Sequence, residues 1–517
     1  MSKASIEIGG IRIGSQSNSE SPTKYQTERG QDVAFHALIL GNFSGTNMAS
    51  PHPKPRLIDR DNFDDVLSSL SPTLTLFPTG DKQNPIELQF NELEDFEPDH
   101  LFNSLAIFSE LRSLRRKLSN NSSFESAAKE VKKWSHKADK DISTTKTNKQ
   151  TANRTQGNKT TENKNLLDTL LSETAYRQQE NTLHAGDKLA NSLIQQIVAP
   201  FVIPGTHPEQ AELIRTIDDA ISGLMNMLLH NPEFQSLEAS WRSLYATVRR
   251  IKTSSKLKLY MADIDKAALA NDLNHDDLTN STVHQNLIGP FTDIPGAVPW
   301  AVIVGDYYFG DHTTDILLLE RMGLLAQHCN AAFVSAAKPE IVNCDDIAVN
   351  QHVENWTSPR EKHFVQAWNI LRESSQARNI ALTFPRTLTR LPYGSNTKTI
   401  EGFSFEEMEN SNHNNYLWGN SAYSVLRLLA EAFAENGWDF LPGKNNEIRH
   451  LPAHSFKQDG ELELKPCAEI YLTEKAGEKV LENGLLPVWS ILRSDSVRVG
   501  PFSSLHSGNQ HIQGKWR

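Results

Sequence analysis

Cysteine is scarce in this sequence, and long hydrophobic runs are missing from it. The 517 residues include three cysteines, Cys329, Cys344 and Cys467, which stand well apart in the chain. So few and so scattered cysteines exclude a disulfide framework and are typical of a reducing compartment. No stretch approaches the roughly 18 apolar residues of a membrane-spanning helix, and the N-terminus lacks the apolar core of a signal peptide. The sequence therefore predicts a cytoplasmic protein.

The local motifs of nucleotide binding and hydrolysis are also missing. A phosphate-binding loop, G-x-x-x-x-G-K-[ST], does not occur, and the nearest segment, Gly394–Thr399, lacks its spacing. A nucleophile elbow needs G-x-S-x-G, but the segment GNSAY around Ser421 lacks the second glycine. A serine at the start of a helix is the simpler interpretation of Ser421.

Metal-binding and acid–base residues occur only as isolated groups. His328 and Cys329 form a single adjacent pair, whereas a metal site needs two further ligands at a suitable spacing. The best acid–base candidates lie in one short segment: Asp306, Asp311, His312 and Asp315. Nothing in the sequence fixes their mutual geometry. We therefore expect no catalytic residues, no cofactor site and no metal site, and so no enzyme.

One polar stretch divides the chain. Residues 135–164 consist mainly of Lys, Thr, Asn, Gln and Ser, and Ile142 is their only large aliphatic residue. Such a composition buries too little apolar surface to offset the entropy of ordering, so we predict a flexible linker. A basic tether that contacts nucleic acid is the alternative, but it lacks aromatic residues for stacking. The net charge of −11 also argues against nucleic acid as the main partner.

Hydrophobic periodicity before the linker predicts a small set of strands and helices. The apolar run Val33–Leu40 ends at Gly41-Asn42, which indicates a buried strand that runs into a turn. Helical spacing predicts a helix at Asn62–Leu70, and alternation at Ile86–Phe90 predicts a second strand. Over Pro98–Leu118 the spacing predicts one amphipathic helix with a basic end. We expect this helix to pack against the part of the chain that follows the linker.

After the linker, long amphipathic helices give way to alternating strands and helices. One predicted helix covers Thr206–Leu229, and Asn231-Pro232 is suited to cap and open the next. Five apolar runs predict buried strands: Leu257–Met261, Trp300–Val304, Ala331–Ala336, Ile380–Phe384 and Ala468–Leu472. Helical patterns lie between several of them: Asp315–His328, Arg360–Leu371 and Tyr423–Asn436. This alternation predicts an α/β fold with a mixed, partly parallel sheet.

Several of these segments, taken in order, resemble a known family. Before the linker, three are similar to successive motifs of the small subunit of the type VI secretion contractile sheath: Phe35–Gly45 (FHALILGNFSG), Arg56–Pro72 and Leu88–Leu118. After the linker, five are similar to the large subunit: Leu229–Leu244 (LHNPEFQSLEASWRSL), Val304–Phe309, Ile380–Gly394, Tyr416–Tyr423 and Leu451–Phe456. The first of these five contains the residues that we single out as a large-subunit signature: Asn231, Pro232, Glu233, Phe234, Trp241 and Arg242. Several motifs in the right order are far more specific than any one of them.

The resemblance implies four regions. Residues 1–134 would form a small-subunit-like α/β domain and residues 135–164 the linker. Residues 165–250 would form a helical segment, and residues 251–517 a larger, large-subunit-like α/β domain with a mixed sheet. The similarity to the large subunit fades near Leu492, so we expect the C-terminal portion of that subunit to be missing.

The implied function is structural and non-catalytic: a component of a type VI secretion sheath, or of a sheath-like assembly, with both subunits in one chain. Its expected partners are other sheath subunits and inner tube or baseplate proteins, with neither nucleic acid nor membrane insertion. Two alternatives remain open, an adaptor or regulator that docks on the sheath or baseplate without polymerising, and an enzyme that has borrowed the fold. The expected partners also include further copies of this chain, in a homo-oligomer.

A short leucine-rich segment follows the linker. In Asn165–Glu173 (NLLDTLLSE) the apolar residues share one face of a predicted helix: Leu166, Leu167, Leu170 and Leu171. Packing against the nearby Leu189–Val198 helix is the simpler interpretation. The resemblance implies another, because large sheath subunits carry such a helix near the N-terminus. There it is bound by the AAA+ unfoldase of the Clp class that recycles contracted sheaths.

Overall fold

The strands and helices described below come from a computed structural model. It describes residues 6–8, 11–13, 33–45, 52–77, 85–131, 210–350, 352–408, 412–458, 460–508 and 510–516. The strands are β1 Ile6–Ile8, β2 Ile11–Ile13, β3 Phe35–Gly41, β4 Arg56–Ile58, β5 Thr73–Leu76, β6 Ile86–Gln89, β7 Leu257–Asp263, β8 Trp300–Phe309, β9 Ala332–Ala337, β10 Ile380–Phe384, β11 Thr387–Leu388, β12 Trp418–Gly419, β13 Glu447–Ile448, β14 Ser455–Gln458, β15 Glu461–Leu464, β16 Leu486–Ser490 and β17 Val497–Val499. The α-helices are α1 Phe63–Leu70, α2 Pro98–Ser104, α3 Ser109–Ser119, α4 Gln210–Leu229, α5 Pro232–Arg250, α6 Lys266–Asp272, α7 Gly289–Thr292, α8 Thr313–Cys329, α9 Lys362–Glu373, α10 Ala422–Asn436 and α11 Glu474–Glu482.

A nine-stranded mixed sheet runs through the molecule in the order β13-β17-β16-β10-β9-β8-β3-β7-β4. Neighbouring strands from β7 through β3, β8, β9 and β10 to β16 are parallel. The pairs at the two ends are antiparallel: β4 with β7, β16 with β17, and β17 with β13. The predicted α/β class with a mixed, partly parallel sheet is therefore confirmed.

The position of strand β3 explains why its sequence is a nearly continuous apolar run. Phe35, Ala37 and Ile39 belong to the core on the side of α4, α5 and α10. Leu38 and Leu40 belong to the core on the opposite side, with α8 and α9. A parallel strand that is buried on both faces has no position left for polar alternation. Helices therefore cover both faces of the sheet around β3.

The predicted helix ends are confirmed where polar residues define them. The Asn231 side chain accepts hydrogen bonds from the backbone amides of Glu233 and Phe234, at 2.9 and 3.2 Å, and Pro232 opens α5. Helix α1 ends at Leu70, before Ser71 in a left-handed conformation with φ of 44°. These local residues determine where α5 begins and where α1 ends.

The expectation of one helix over Pro98–Leu118 is wrong in one respect. Leu105 is extended, with ψ of 133°, and separates α2 from a short 3-10 turn that leads into α3. The Arg112 guanidinium donates to the Phe102 carbonyl at the end of α2. The break also lets the Phe102 and Phe108 rings meet edge to face at 5.7 Å. Both helices keep the predicted buried face.

Two sheet predictions also need correction. Ala468–Leu472 does not form a strand: Ala468 makes only an isolated bridge to Thr387, because the backbone bends at Glu469 and Ile470. The five predicted strands do not include β16, in which Pro487 is unfavourable for an interior strand. It is nevertheless interior, between β10 and β17.

Cutting the chain within residues 135–164 should leave the two fragments together. These residues lie outside the described residues, but the parts on either side share the sheet through β3. A specific protease site inserted there, once cut, should yield fragments that co-elute at the mass of the intact chain in size-exclusion chromatography with light scattering. They should separate only in denaturant, and separation in native buffer would contradict the shared sheet.

Candidate functional site: the seam between the two halves

The N-terminal half (residues 33–131) and the C-terminal half (residues 210–516) meet along a continuous seam. Its centre is β3, which pairs in parallel with β7 over all seven of its residues. On its other side, β3 pairs in parallel with β8. The backbone amides of Phe43 and Ser44 then donate to Asp263 Oδ1 at 2.8 and 2.9 Å. Without the N-terminal half, β7 and β8 would have no common neighbour.

Trp241 lies at the middle of the seam. Its side chain is fully buried, and its indole N–H donates to the Phe43 carbonyl oxygen at 2.9 Å. The ring meets Phe43 and Phe63 edge to face, with centroids 5.5 and 5.7 Å apart. A buried tryptophan thus combines apolar contact with one satisfied donor across the two halves.

Phe234 contacts the N-terminal half about two helical turns before Trp241 on α5. Its ring lies edge to face against Phe90 and Phe96, at 5.9 and 5.8 Å. Those two rings stack on each other at 4.0 Å. Glu233, by contrast, is exposed in the first turn of α5, where an acidic side chain favours the helix dipole.

A buried ion network lies beside these aromatic contacts on α5, where Glu238 follows Phe234 by one helical turn. Arg242 Nε donates to Glu238 Oε1 at 2.6 Å, and Arg390 Nε donates to the same oxygen at 2.8 Å. Arg390 also donates to both oxygens of Glu407, at 2.7 and 3.0 Å. Arg242 reaches the Tyr393 hydroxyl at 2.9 Å. The network ties α5 to the segment that begins at Arg390.

The electrostatics of this network favour the charged forms. Burial alone would raise the pKa of Glu407, but the Arg390 guanidinium and hydrogen bonds, including that from the Tyr393 amide at 2.8 Å, hold it at about 2. Glu407 and Glu238 are both nearly inaccessible to solvent. Each buried charge is therefore paired and hydrogen-bonded, which is the condition for burying it at all.

Residues 390–408, which we call the clamp loop, contact the N-terminal half. Lys398 forms an ion pair with Glu97 at the start of α2. The Gly402 amide donates to Asp99 Oδ1 at 3.0 Å. Asp99 lies in the first turn of α2. The clamp loop therefore donates a hydrogen bond to the start of this helix. No sequence motif singles out Asp99 for this contact.

Apolar contact completes the clamp. The Phe403 ring lies 4.8 Å from that of Phe102. A Cβ at Gly402 would come within 2.7 Å of the Phe102 ring, so the close approach requires glycine. The clamp loop and helix α2 are therefore in close contact at Gly402 and Phe102.

A third contact joins α3, α4 and the clamp loop. Arg115 of α3 binds the Asp218 carboxylate of α4 through two hydrogen bonds, at 2.6 and 3.2 Å. The Ser404 amide also donates to Asp218, at 3.3 Å. This geometry confirms the expectation that the Pro98–Leu118 segment packs against the part of the chain after the linker.

The residues weighed for catalysis serve as structural anchors. Ser421 is fully buried at the start of α10 and donates to the Thr383 hydroxyl at 2.8 Å. Asp306 is half-buried, accepts a hydrogen bond from Tyr423 and has a pKa raised by desolvation. Asp315 instead accepts from Gly310 and pairs with Lys266 at 2.6 Å. Because these acids bind different partners, they form no shared acid–base centre.

Two other predicted features lie outside the described residues. They are the linker at residues 135–164 and the leucine-rich segment with Leu166, Leu167, Leu170 and Leu171. Among the described helices, none is long and apolar enough to cross a membrane.

Comparison with known proteins defines the class as type VI secretion sheath proteins. The VipB (EvpB) family, described as a tail sheath N-terminal domain, matches residues 211–506. The VipA family of the type VI secretion system matches residues 21–155. The sheath protein TssC1 of Pseudomonas aeruginosa is 29% identical over 348 residues, which cover 65% of this chain and 70% of that protein.

The VipB match spans more than half of the chain, so the chain belongs to the type VI secretion sheath family. The two matches follow one another along a single polypeptide, which confirms that small- and large-subunit regions are fused. The signature residues Phe234, Trp241 and Arg242 lie at the seam or in its ion network. The resemblance singled out these residues, but it did not reveal their partners, such as Phe43 for Trp241 and Tyr393 for Arg242.

Replacing Glu407 with Gln should destabilise the protein by about 3 kcal/mol, because Arg390 would keep its buried charge with one partner fewer. The midpoint of urea unfolding at pH 7 measures the effect. Glu354→Gln is a matched control, since Glu354 forms an exposed pair with Lys475 at 3.1 Å. That change should leave the unfolding midpoint nearly unchanged, because an exposed ion pair contributes little to stability. Equal losses in the two variants would contradict a structural role for the buried network.

Proposed function

We propose that this chain is a structural, non-catalytic sheath subunit that brings the small and large parts of a protomer in one polypeptide. It assembles with other sheath subunits and contacts inner tube or baseplate proteins. The observation that carries the proposal is the position of β3. A small-subunit strand lies between two large-subunit strands, so neither half is complete as a folded unit without the other.

The fusion gives the two halves a fixed one-to-one ratio. A covalent tether also raises their effective concentration to about the millimolar range. The seam is built from buried aromatic rings and paired charges, as expected of an obligate interface. The role of the fusion is therefore to deliver a complete protomer, and further assembly uses surfaces outside the seam.

The edges of the sheet bear on how far assembly can proceed. The edge strand β4 has three residues and β13 has two. Such short edges present few unpaired backbone groups for strand addition by a neighbouring chain. Short edge strands favour assembly through other surfaces. They also fit the alternative function, an adaptor that docks on the sheath or baseplate without polymerising.

Negative-stain microscopy of the purified full chain distinguishes these roles. The proposal expects rings or tubes whose mass, measured by sedimentation velocity, far exceeds one chain. Protein cut within residues 135–164 is the matched control and should assemble equally well, because the seam and not the tether holds the protomer together. Discrete monomers or dimers at every concentration would reject the sheath role and indicate the adaptor.

We also propose that Leu166, Leu167, Leu170 and Leu171 bind an AAA+ unfoldase of the Clp class, as the family resemblance implies. Leucines on one helical face suit a helix-in-groove mode of binding. Leu167→Asp with Leu170→Asp should abolish binding to the unfoldase's N-terminal domain and leave the melting temperature unchanged. Isothermal titration calorimetry and thermal unfolding measure the two effects.

The control for this test is Leu492→Asp, since Leu492 is 70% exposed in the C-terminal half. It should leave unfoldase binding unchanged. Undiminished binding in the double variant would reject the recycling role. A large fall in its melting temperature would instead favour packing against the Leu189–Val198 segment.

A further inference from the structure

Three side chains that commonly bind metal ions converge on the face of the sheet away from α5. His284 opens the π-helical stretch His284–Ile288, Asp293 directly follows α7, and His328 lies in the last turn of α8. One ligand atom from each lies within 4.8 Å of the others. Motifs could not reveal this cluster, because Asp293 and His328 are 35 positions apart.

The separations suit a tetrahedral zinc site. Zinc bonds to imidazole nitrogen and carboxylate oxygen are about 2.0–2.1 Å long, which places two ligand atoms of a tetrahedron about 3.3 Å apart. His328 Nε2 lies 2.8 Å from Asp293 Oδ1, and His284 Nε2 lies 3.7 Å from Asp293 Oδ2. The second distance is too long for a hydrogen bond. The three ligand atoms, with the two imidazole nitrogens included, all lie within 4.8 Å of one another.

The surrounding structure holds the ligands in place. The Trp300 indole N–H donates to the Leu287 carbonyl at 2.6 Å and anchors the π-helical stretch. The Thr292 hydroxyl and Cys329 Sγ lie 3.4 Å apart and join the end of α7 to that of α8. A rare π-helical turn is also a frequent mark of functional sites. The cluster is therefore preorganised from both sides.

Solvent can reach the cluster from one direction. The His284 side chain is 10% exposed, whereas those of His328 and Asp293 are 34% and 43% exposed. Three protein ligands with one open side leave a fourth position for water. Imidazole with one carboxylate favours zinc and its transition-metal neighbours over Mg²⁺ or Ca²⁺, which prefer oxygen ligands.

A second cluster in the described residues is a poorer candidate for a metal site. Glu92, Asp95 and His100 also lie close together. However, Asp95 already accepts hydrogen bonds from the Asn91 and Glu92 amides, at 2.6 and 3.1 Å. Its carboxylate is thus occupied at the start of a short 3-10 helix, which explains the cluster without an ion.

We propose that His284, Asp293 and His328 bind one Zn²⁺ ion with water in the fourth position. The ion links the segment of residues 284–293 to the C-terminal end of α8. This departs from the expectation of a metal-free chain, which rested on local motifs alone. Because only the folded chain brings the three ligands together, bound zinc stabilises the fold.

Titration of the untagged, chelator-treated full chain tests the proposal. We expect one equivalent of Zn²⁺ in isothermal titration calorimetry and a melting temperature that rises with Zn²⁺. Co²⁺ should give the visible absorption of a four-coordinate site, and Mg²⁺ and Ca²⁺ should give neither effect. His328→Gln and Asp293→Asn, both at partly exposed positions, should each weaken binding by at least about 100-fold, since loss of an outer partner alone costs about 10- to 100-fold.

His100→Gln, in the second cluster, is the matched control and should bind Zn²⁺ as the unchanged chain does. Circular dichroism of each variant shows whether it is folded before titration. Absence of saturable binding would overturn the proposal. So would binding that His328→Gln leaves unchanged, or that His100→Gln weakens equally.

Discussion

The parallel pairing of β3 with β7 and β8 is the interaction on which the rest of the structure depends. Taking β3 away would unpair one side of two long interior strands, and buried backbone groups without partners are costly. It would also uncover apolar side chains on both faces of the sheet. The N-terminal half is therefore part of the main core and not an appendage to it.

The charged groups at the seam specify geometry more than they supply stability. A buried ion pair in general contributes little net free energy, because desolvation opposes the Coulomb attraction. Glu238, Arg390 and Glu407 nevertheless fix where the clamp loop lies against α5. From that position the loop presents a backbone amide to Asp99 at 3.0 Å. Charge placement and apolar packing thus define a single register between the halves.

Much of the local structure could be predicted from the sequence, because periodicity and caps act over short distances. The apolar run of β3 and the Asn231 cap of α5 are examples. Strand order could not be predicted, since nothing local states that β3 pairs with strands more than 200 residues later. Likewise no local pattern singles out Asp99 or Asp218, and only the fold supplies their partners.

The same sequence separation explains what the fusion does physically. Phe43 and Asp263 are 220 positions apart, yet loop-closure entropy grows slowly and adds only about 0.6 kcal/mol for each doubling of length. Association of two separate chains would instead lose translational and rotational freedom, at about 4–15 kcal/mol. In the folded protein the contacts of the seam hold the two halves together. The tether therefore matters most before β3 has paired with β7 and β8. A fused chain reaches the complete sheet at any protein concentration, whereas separate subunits must first meet.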